Sequence, residues 1–212
     1  MEELMREISE LLQKGRAPLV KEKVQLALDQ GISPKDILEN GLLAGMDVVG
    51  EKFKNNQAFV PEVLIAARAM NNGISVLQPY LTEMGVEPAG CVVIGTVKGD
   101  LHDIGKNLVK LMLEGKGFSV VDLGVNVSPD RFVEAAKEHK ADIVCCSALL
   151  TTTMVEMKSV DQALRDAGIR DQVKFMVGGA PVTQTFADSV GADCYTPDAA
   201  TCAEAALKLC RA

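Results

Sequence analysis

The stretch CVVIGTVKGDLHDIGKN, Cys91 to Asn107, decides how the second half of the chain is read. Its first six residues, Cys91 to Thr96, form an apolar, β-branched run suited to a strand buried on both faces. A short loop follows, and from Ile104 the apolar residues recur at helical spacing. The alternation then repeats. "FSVVDLG", "ADIVCCSAL", "VKFMVGG" and the short "ADCYT" read as four further strands. Helices are expected near 104–116, 129–140, 153–167, 183–190 and 199–210, with Ser128-Pro129-Asp130 as a capped helix start. Five strand–helix units predict an α/β doubly wound domain of the flavodoxin or Rossmann type, with a five-stranded parallel sheet, over residues 87–212.

Upstream, the pattern is helical throughout. Leu4, Ile8, Leu11 and Leu12 mark a first helix ended by Gly15. Val20, Val24, Ala27 and Leu28 mark a second, and Gly31 stops it. Ser33-Pro34 begins a third, which should run through "ILENGLLAGMDVVGEKF". Val63, Leu64, Ala67, Met70, Ile74 and Leu77 stripe a fourth. Residues 1–86 are thus expected to form a four-helix bundle, with "TEMGVEPAG" as the boundary.

Bulk properties narrow the function. The 212 residues carry a formal net charge of -7, without a Lys/Arg run, which argues against nucleic acid and anionic membrane surfaces. The chain shows no apolar run near the roughly 20 residues of a spanning helix. Its acidic, amphipathic start does not resemble a secretory signal. Six cysteines without a C-x-x-C pair read as reduced thiols of a cytoplasmic protein.

In a doubly wound sheet, ligands bind beyond the carboxyl ends of the strands. The loops there are Lys98-Gly99-Asp100-Leu101-His102-Asp103-Ile104-Gly105, then Ser147-Ala148-Leu149-Leu150-Thr151-Thr152-Thr153, then Gly178-Gly179-Ala180, then Tyr195-Thr196-Pro197-Asp198. None carries G-x-G-x-x-G or a P-loop. His102 between two aspartates permits a helix cap, a base or a metal ligand. Asp100 can accept from one ring nitrogen and leave the other exposed, as carboxylates behind metal-bound histidines do. One histidine does not build a zinc or iron site. It suffices only where the metal arrives held by a macrocycle.

Asp100-x-His102-x-x-Gly105, Ser147-x-Leu149 and Gly178-Gly179 together resemble the motif set of cobalamin-binding proteins. "GLLAGMDVVGEKF" and "FVPEVLIAARAM" resemble the helical cap of methylcobalamin modules, as in cobalamin-dependent methionine synthase, and the corrinoid proteins of anaerobic methyltransferase systems. The resemblance implies a cobalamin or related corrinoid bound base-off, with His102 as the lower cobalt ligand. Asp100 and Thr153 would complete the ligand triad, Thr153 standing where the family often has serine. Gly99, Leu101, Asp103, Ile104, Gly105, Ser147, Leu149, Thr151, Gly178, Gly179, Ala180 and Tyr195 would contact the cofactor or its nucleotide tail. Glu39, Phe53, Val60 and Val63 would approach it from the cap.

The implied function is a methyl carrier of one-carbon metabolism, cycling between Co(I) and methyl-Co(III). It would link a substrate:corrinoid methyltransferase, for a methylamine, quaternary amine or similar donor, to a second methyltransferase delivering to tetrahydrofolate or a thiol coenzyme. A reductive activation protein would serve it. The alternative is the cobalamin subunit of an adenosylcobalamin-dependent isomerase, a class that shares the His102 motif but generally lacks the cap. A cobalamin-dependent regulator and a corrin-free flavodoxin-like protein fit less of the sequence.

Overall fold

A computed structural model describes residues 2–211, with side chains through Cys210. The chain divides into two compact units, Met1–Glu87 and Pro88–Ala212.

The first unit is helical. Helices α1 (Glu2–Gln13) and α2 (Ala17–Asp29) are amphipathic, burying Ile8 and Leu12, and Val20 and Val24. The third predicted helix is interrupted. One turn, α3 (Pro34–Asp36), leads into a π-helical stretch, Ile37–Leu43, which continues as α4 (Ala44–Lys54). The wider winding over residues 37–43 is invisible to a 3.6-residue periodicity. Ser33 occupies the N-cap position, but its side chain makes no capping bond. Helix α5 (Val60–Glu83) buries Val63, Ala67, Met70 and Leu77. Glu62 closes its start by accepting from the Phe59 N–H.

The second unit holds five strands: β1 (Cys91–Thr96), β2 (Ser119–Asp122), β3 (Ile143–Ser147), β4 (Lys174–Gly178) and β5 (Cys194–Tyr195). All pair in parallel, in the order β2-β1-β3-β4-β5. The crossovers are α6 (Ile104–Glu114), α7 (Pro129–Glu138), the short α8 (Thr151–Met154) with α9 (Glu156–Asp166), and α10 (Gln184–Ser189); α11 (Ala199–Arg211) follows β5. The helix expected at 153–167 begins two residues earlier and is broken at Val155.

Side chains alternate along each strand, so in-register neighbours share a face. Val93, Val144, Cys146, Phe175 and Val177 pack with Phe132 of α7 and Met157, Val160 and Leu164 of α9 in the main core. The opposite row, Ile94, Cys145, Met176 and Cys194, is aligned strand by strand. Helices α6 and α11 pack against each other. The chain reverses its winding between β1 and β3, which sets the loops after these two strands at the topological switch point.

Candidate functional site

The loop after β1 is built around one carboxylate. Asp100 has no solvent exposure, and five donors converge on it. Its Oδ1 accepts from the His102 backbone N–H at 3.0 Å and lies 2.7 Å from His102 Nδ1. Its Oδ2 accepts from the N–H groups of Leu149 at 2.8 Å and Leu150 at 3.4 Å, and from the Thr153 hydroxyl at 2.7 Å. Burial works to raise this carboxyl's pKa. The bonds from Thr153, Leu149 and His102 outweigh it and hold the group well below the usual carboxylate range. An ionised carboxylate only accepts, so Nδ1 of a neutral His102 carries the proton and Nε2 the lone pair. The His102 side chain is 51% exposed. No hydrogen bond from Nε2 occurs among the described residues.

The backbone is fixed as firmly. Thr96 Oγ1 donates to the His102 carbonyl at 2.8 Å. Gly99 N–H donates to Asn126 Oδ1 at 2.8 Å, and Asn126 N–H to the Asp100 carbonyl at 2.9 Å. Asp103 stands at the N-cap of α6 without capping it; its carboxylate accepts instead from Asn107. Leu101, Ile104, Leu149 and Leu150 are exposed apolar side chains in the loops after β1 and β3. They offer an apolar platform where a soluble surface is usually polar.

Beside this platform lies a cavity of about 280 Å³. Its lining includes Ile94, Cys145, Ser147 and Met176 from the sheet, Lys106 and Val109 from α6, and Cys202 from α11. Gly105, Gly178, Gly179, Ala180 and Thr196–Asp198 complete the rim. Gly179 has φ +132, and a Cβ there would run into the Ala148 carbonyl, 2.9 Å from its carbon. A Cβ on Gly178 would meet nothing within 4 Å. The first glycine is therefore demanded by the backbone; the second leaves space in the slot.

The structure thus brings together Asp100, His102 and Thr153, and places Gly105, Ser147, Gly178, Gly179 and Ala180 on the slot. Thr151 is exposed and outside the lining. Tyr195 packs against the main core on the other face of the sheet, because strand alternation turns Thr196 toward the slot instead. In the helical unit, Val63 is fully buried, Phe53 and Val60 are half-buried, and Glu39 is exposed, 3.8 Å from Lys35.

Sequence reasoning missed Lys106, which is 2% exposed and donates to Asp122 Oδ1 at 2.6 Å and Asn107 Oδ1 at 2.7 Å. It also missed Cys145 and Cys202. Strand parity could have found Cys145, since it shares a face with Ser147; no local signal marks Lys106 or Cys202. Among the described residues no cluster of three or more His, Cys, Asp or Glu could hold a bare metal ion.

The chain and its fold have counterparts among known proteins. A family profile described as a B12 binding domain matches residues 90–207, and a second B12 binding domain profile matches residues 4–78. The trimethylamine corrinoid protein 1 of Methanosarcina acetivorans is 48% identical over 196 residues, covering 92% of this chain and 91% of that protein. The dimethylamine corrinoid protein of Methanosarcina barkeri is 44% identical, covering 93% of each. Among solved structures, the methanol:cobalamin methyltransferase complex of Methanosarcina barkeri contains a chain that superposes with a TM-score of 0.88 at 32% identity, covering 99% of this chain and 80% of that one.

Proposed function

The chain belongs to the family of B12-binding corrinoid proteins, and on that premise we propose that it carries a methyl group on a corrinoid between two methyltransferases. The first would demethylate a methylamine or related donor; the second would pass the group to tetrahydrofolate or a thiol coenzyme. The amine corrinoid relatives support the donor class, and the methyltransferase complex among the structural matches supports a methyltransferase partner. A reductive activation protein would complete the system. The second profile match, over the helical half, favours this reading over an adenosylcobalamin isomerase subunit.

The observation that carries the proposal is His102: Nδ1 is tied to a fully buried aspartate, while Nε2, near the slot, has no hydrogen bond among the described residues. A bound corrinoid would supply the cobalt that accepts and donates the methyl group. The protein's residues do the rest. Asp100 orients the imidazole and raises its donor strength. Thr153, Leu149 and Leu150 hold Asp100 in place. Leu101 and Ile104 give the macrocycle an apolar seat, and Gly178, Gly179 and Ala180 leave room for a nucleotide tail. Glu39, Phe53 and Val60 would meet the cofactor from the helical unit and keep water from the methyl face; Val63, fully buried, belongs to the core of that unit instead.

Reconstitution with methylcobalamin tests this. The wild type should show a base-off, histidine-on absorption spectrum. His102→Ala should retain the protein's fold by circular dichroism and lose that spectrum. Identical spectra and affinity for both proteins would sink the ligand assignment.

A further inference from the structure

The slot changes character with depth, and the change runs down each of its walls. On the sheet, Ser147 and Gly178 are paired in register near the strand ends. Cys145 and Met176 stand two residues earlier on the same face, about 6.5 Å deeper. Ile94, in register with Cys145, adds an apolar side chain at that level. Helices α6 and α11 start at the edge where the preceding strands end, so each turn along them also leads inward. On α6 the lining passes from Lys106 to Val109, and on α11 it passes from Asp198 before the helix to Cys202. One step further on each wall come Ile143, Leu113 and Ala206. All three are fully buried and outside the lining, so they close the floor.

The upper level is polar, and its charges are engaged. Lys106 Nζ donates to Asp122 and Asn107. The Asp198 carboxylate accepts from the Thr201 N–H at 2.9 Å and its hydroxyl at 2.7 Å. The lower level offers carbon and the sulfurs of Cys145, Met176 and Cys202, which are weak hydrogen-bond partners. Backbone groups there are spent on the parallel ladder. Among the described residues, no buried side-chain nitrogen or oxygen lacks a partner, so none waits at the floor for a polar ligand atom.

We propose that this floor selects the lower base of the corrinoid: the slot takes a nucleotide tail that ends in an apolar bicyclic base of the benzimidazole class and discriminates against a purine. The proposal rests on the reading of the slot as the seat of that tail. In a nucleotide, the edge of the base that carries the sugar stays beside the sugar, and the other ring points away from it. That distal ring is all carbon in a benzimidazole. In adenine it carries two ring nitrogens and an amino group. The hydroxyls of Ser147 and Thr196 can serve the sugar and the near edge at the upper level. Ile94, Val109 and Met176 can meet a carbon ring by dispersion contact, but they leave adenine's distal groups stripped of water and unpaired. The two bases are close in size, so polarity rather than shape decides.

The test measures affinities of the full-length protein by spectral titration with three compounds. They are cobalamin, whose base is dimethylbenzimidazole, its adenine-based counterpart, and cobinamide, which lacks the nucleotide. The adenine compound should bind about 10–100-fold more weakly than cobalamin. Adenine is the less basic ligand and leaves cobalt more readily, so weaker binding cannot originate in that step. Cobinamide should bind at least about tenfold more weakly than cobalamin. Val109→Asn and Met176→Gln each place an amide at the floor and should narrow the ratio between the two tails at least about threefold. Val109 is half-buried, so its variant carries the test where Met176→Gln does not fold. Equal affinity for the two tails, with cobinamide weak, overturns the selectivity alone. Cobinamide binding as tightly as cobalamin overturns the seating of the tail in the slot, and the selectivity with it. A ratio unchanged in Val109→Asn overturns the assignment of the selectivity to the floor.

Discussion

Gly179→Ala tests whether the slot is shaped by backbone constraint. A φ of +132 is a conformation that only glycine adopts readily, costing another residue about 1–3 kcal/mol. The new methyl would also collide with the Ala148 carbonyl, forcing that peptide back by about 1 Å. The peptide is not free to retreat. Its own N–H, of Leu149, donates to Asp100 at 2.8 Å, and the N–H of the preceding peptide, of Ala148, donates to the Gly178 carbonyl at 3.2 Å. Losing one or both of these bonds adds about 0.5–1.5 kcal/mol each. The expected destabilisation is therefore about 1.5–6 kcal/mol, confined to the α/β unit. Hydrogen–deuterium exchange at β3 and β4 amides reads it; 2 kcal/mol alone accelerates exchange from globally opened states about 30-fold. Gly178→Ala is the comparator. Its Cβ meets nothing, so exchange should stay within a few-fold of wild type while corrinoid affinity falls. Unchanged exchange in Gly179→Ala would refute the reasoning, as would equal destabilisation by both variants.

Three further outcomes are expected. Thr153→Ser should keep the bond to Asp100 and wild-type corrinoid affinity, whereas Thr153→Val should lose the bond and weaken histidine-on binding by about tenfold, measured by spectral titration. Asp122 pairs with buried Lys106; burial raises its carboxyl, but the bonds from Lys106 and Gly124 and the charges of Lys106 and Lys110 bring it below its ordinary value. A depressed carboxyl stabilises fully above its unfolded pKa and loses that contribution as pH falls through the folded one. Asp122→Asn should therefore cost about 2 kcal/mol at neutral pH and flatten the stability loss below about pH 4 in acid-unfolding curves. Arg170 is buried against Asp161 at 2.6 Å, Asp193 at 3.0 Å and the Gly191 carbonyl at 2.6 Å; Arg170→Met should cost about 3 kcal/mol by urea denaturation and leave the corrinoid spectrum unchanged.

What the sequence disclosed follows from the range of each interaction. Strands such as Cys91–Thr96 and Ile143–Ser147 announce themselves, because a strand covered on both faces must be apolar along its length. The Asp100–His102 contact is equally local, two residues apart, and was legible. Thr153 was reached only through family resemblance, since its bond to Asp100 spans 53 residues. Lys106 looked like an ordinary surface lysine; its burial depends on Asp122, 16 residues further on at the end of the next strand. Cys202 lines the slot because of where α11 is laid on the sheet, which no periodicity within α11 encodes.

Asp100 also joins two loops that leave the switch point on different strands. One oxygen serves the loop after β1, through His102; the other serves the loop after β3, through Leu149, Leu150 and Thr153. The carboxylate's charge is shared between these two sets of donors, so they compete for it. Lengthening the bonds from the β3 loop would return electron density to the oxygen facing His102 and make the imidazole a stronger donor without touching it. Under the proposed function, the strength of the bond that the histidine would offer could then be adjusted from the β3 loop, some distance along the protein surface.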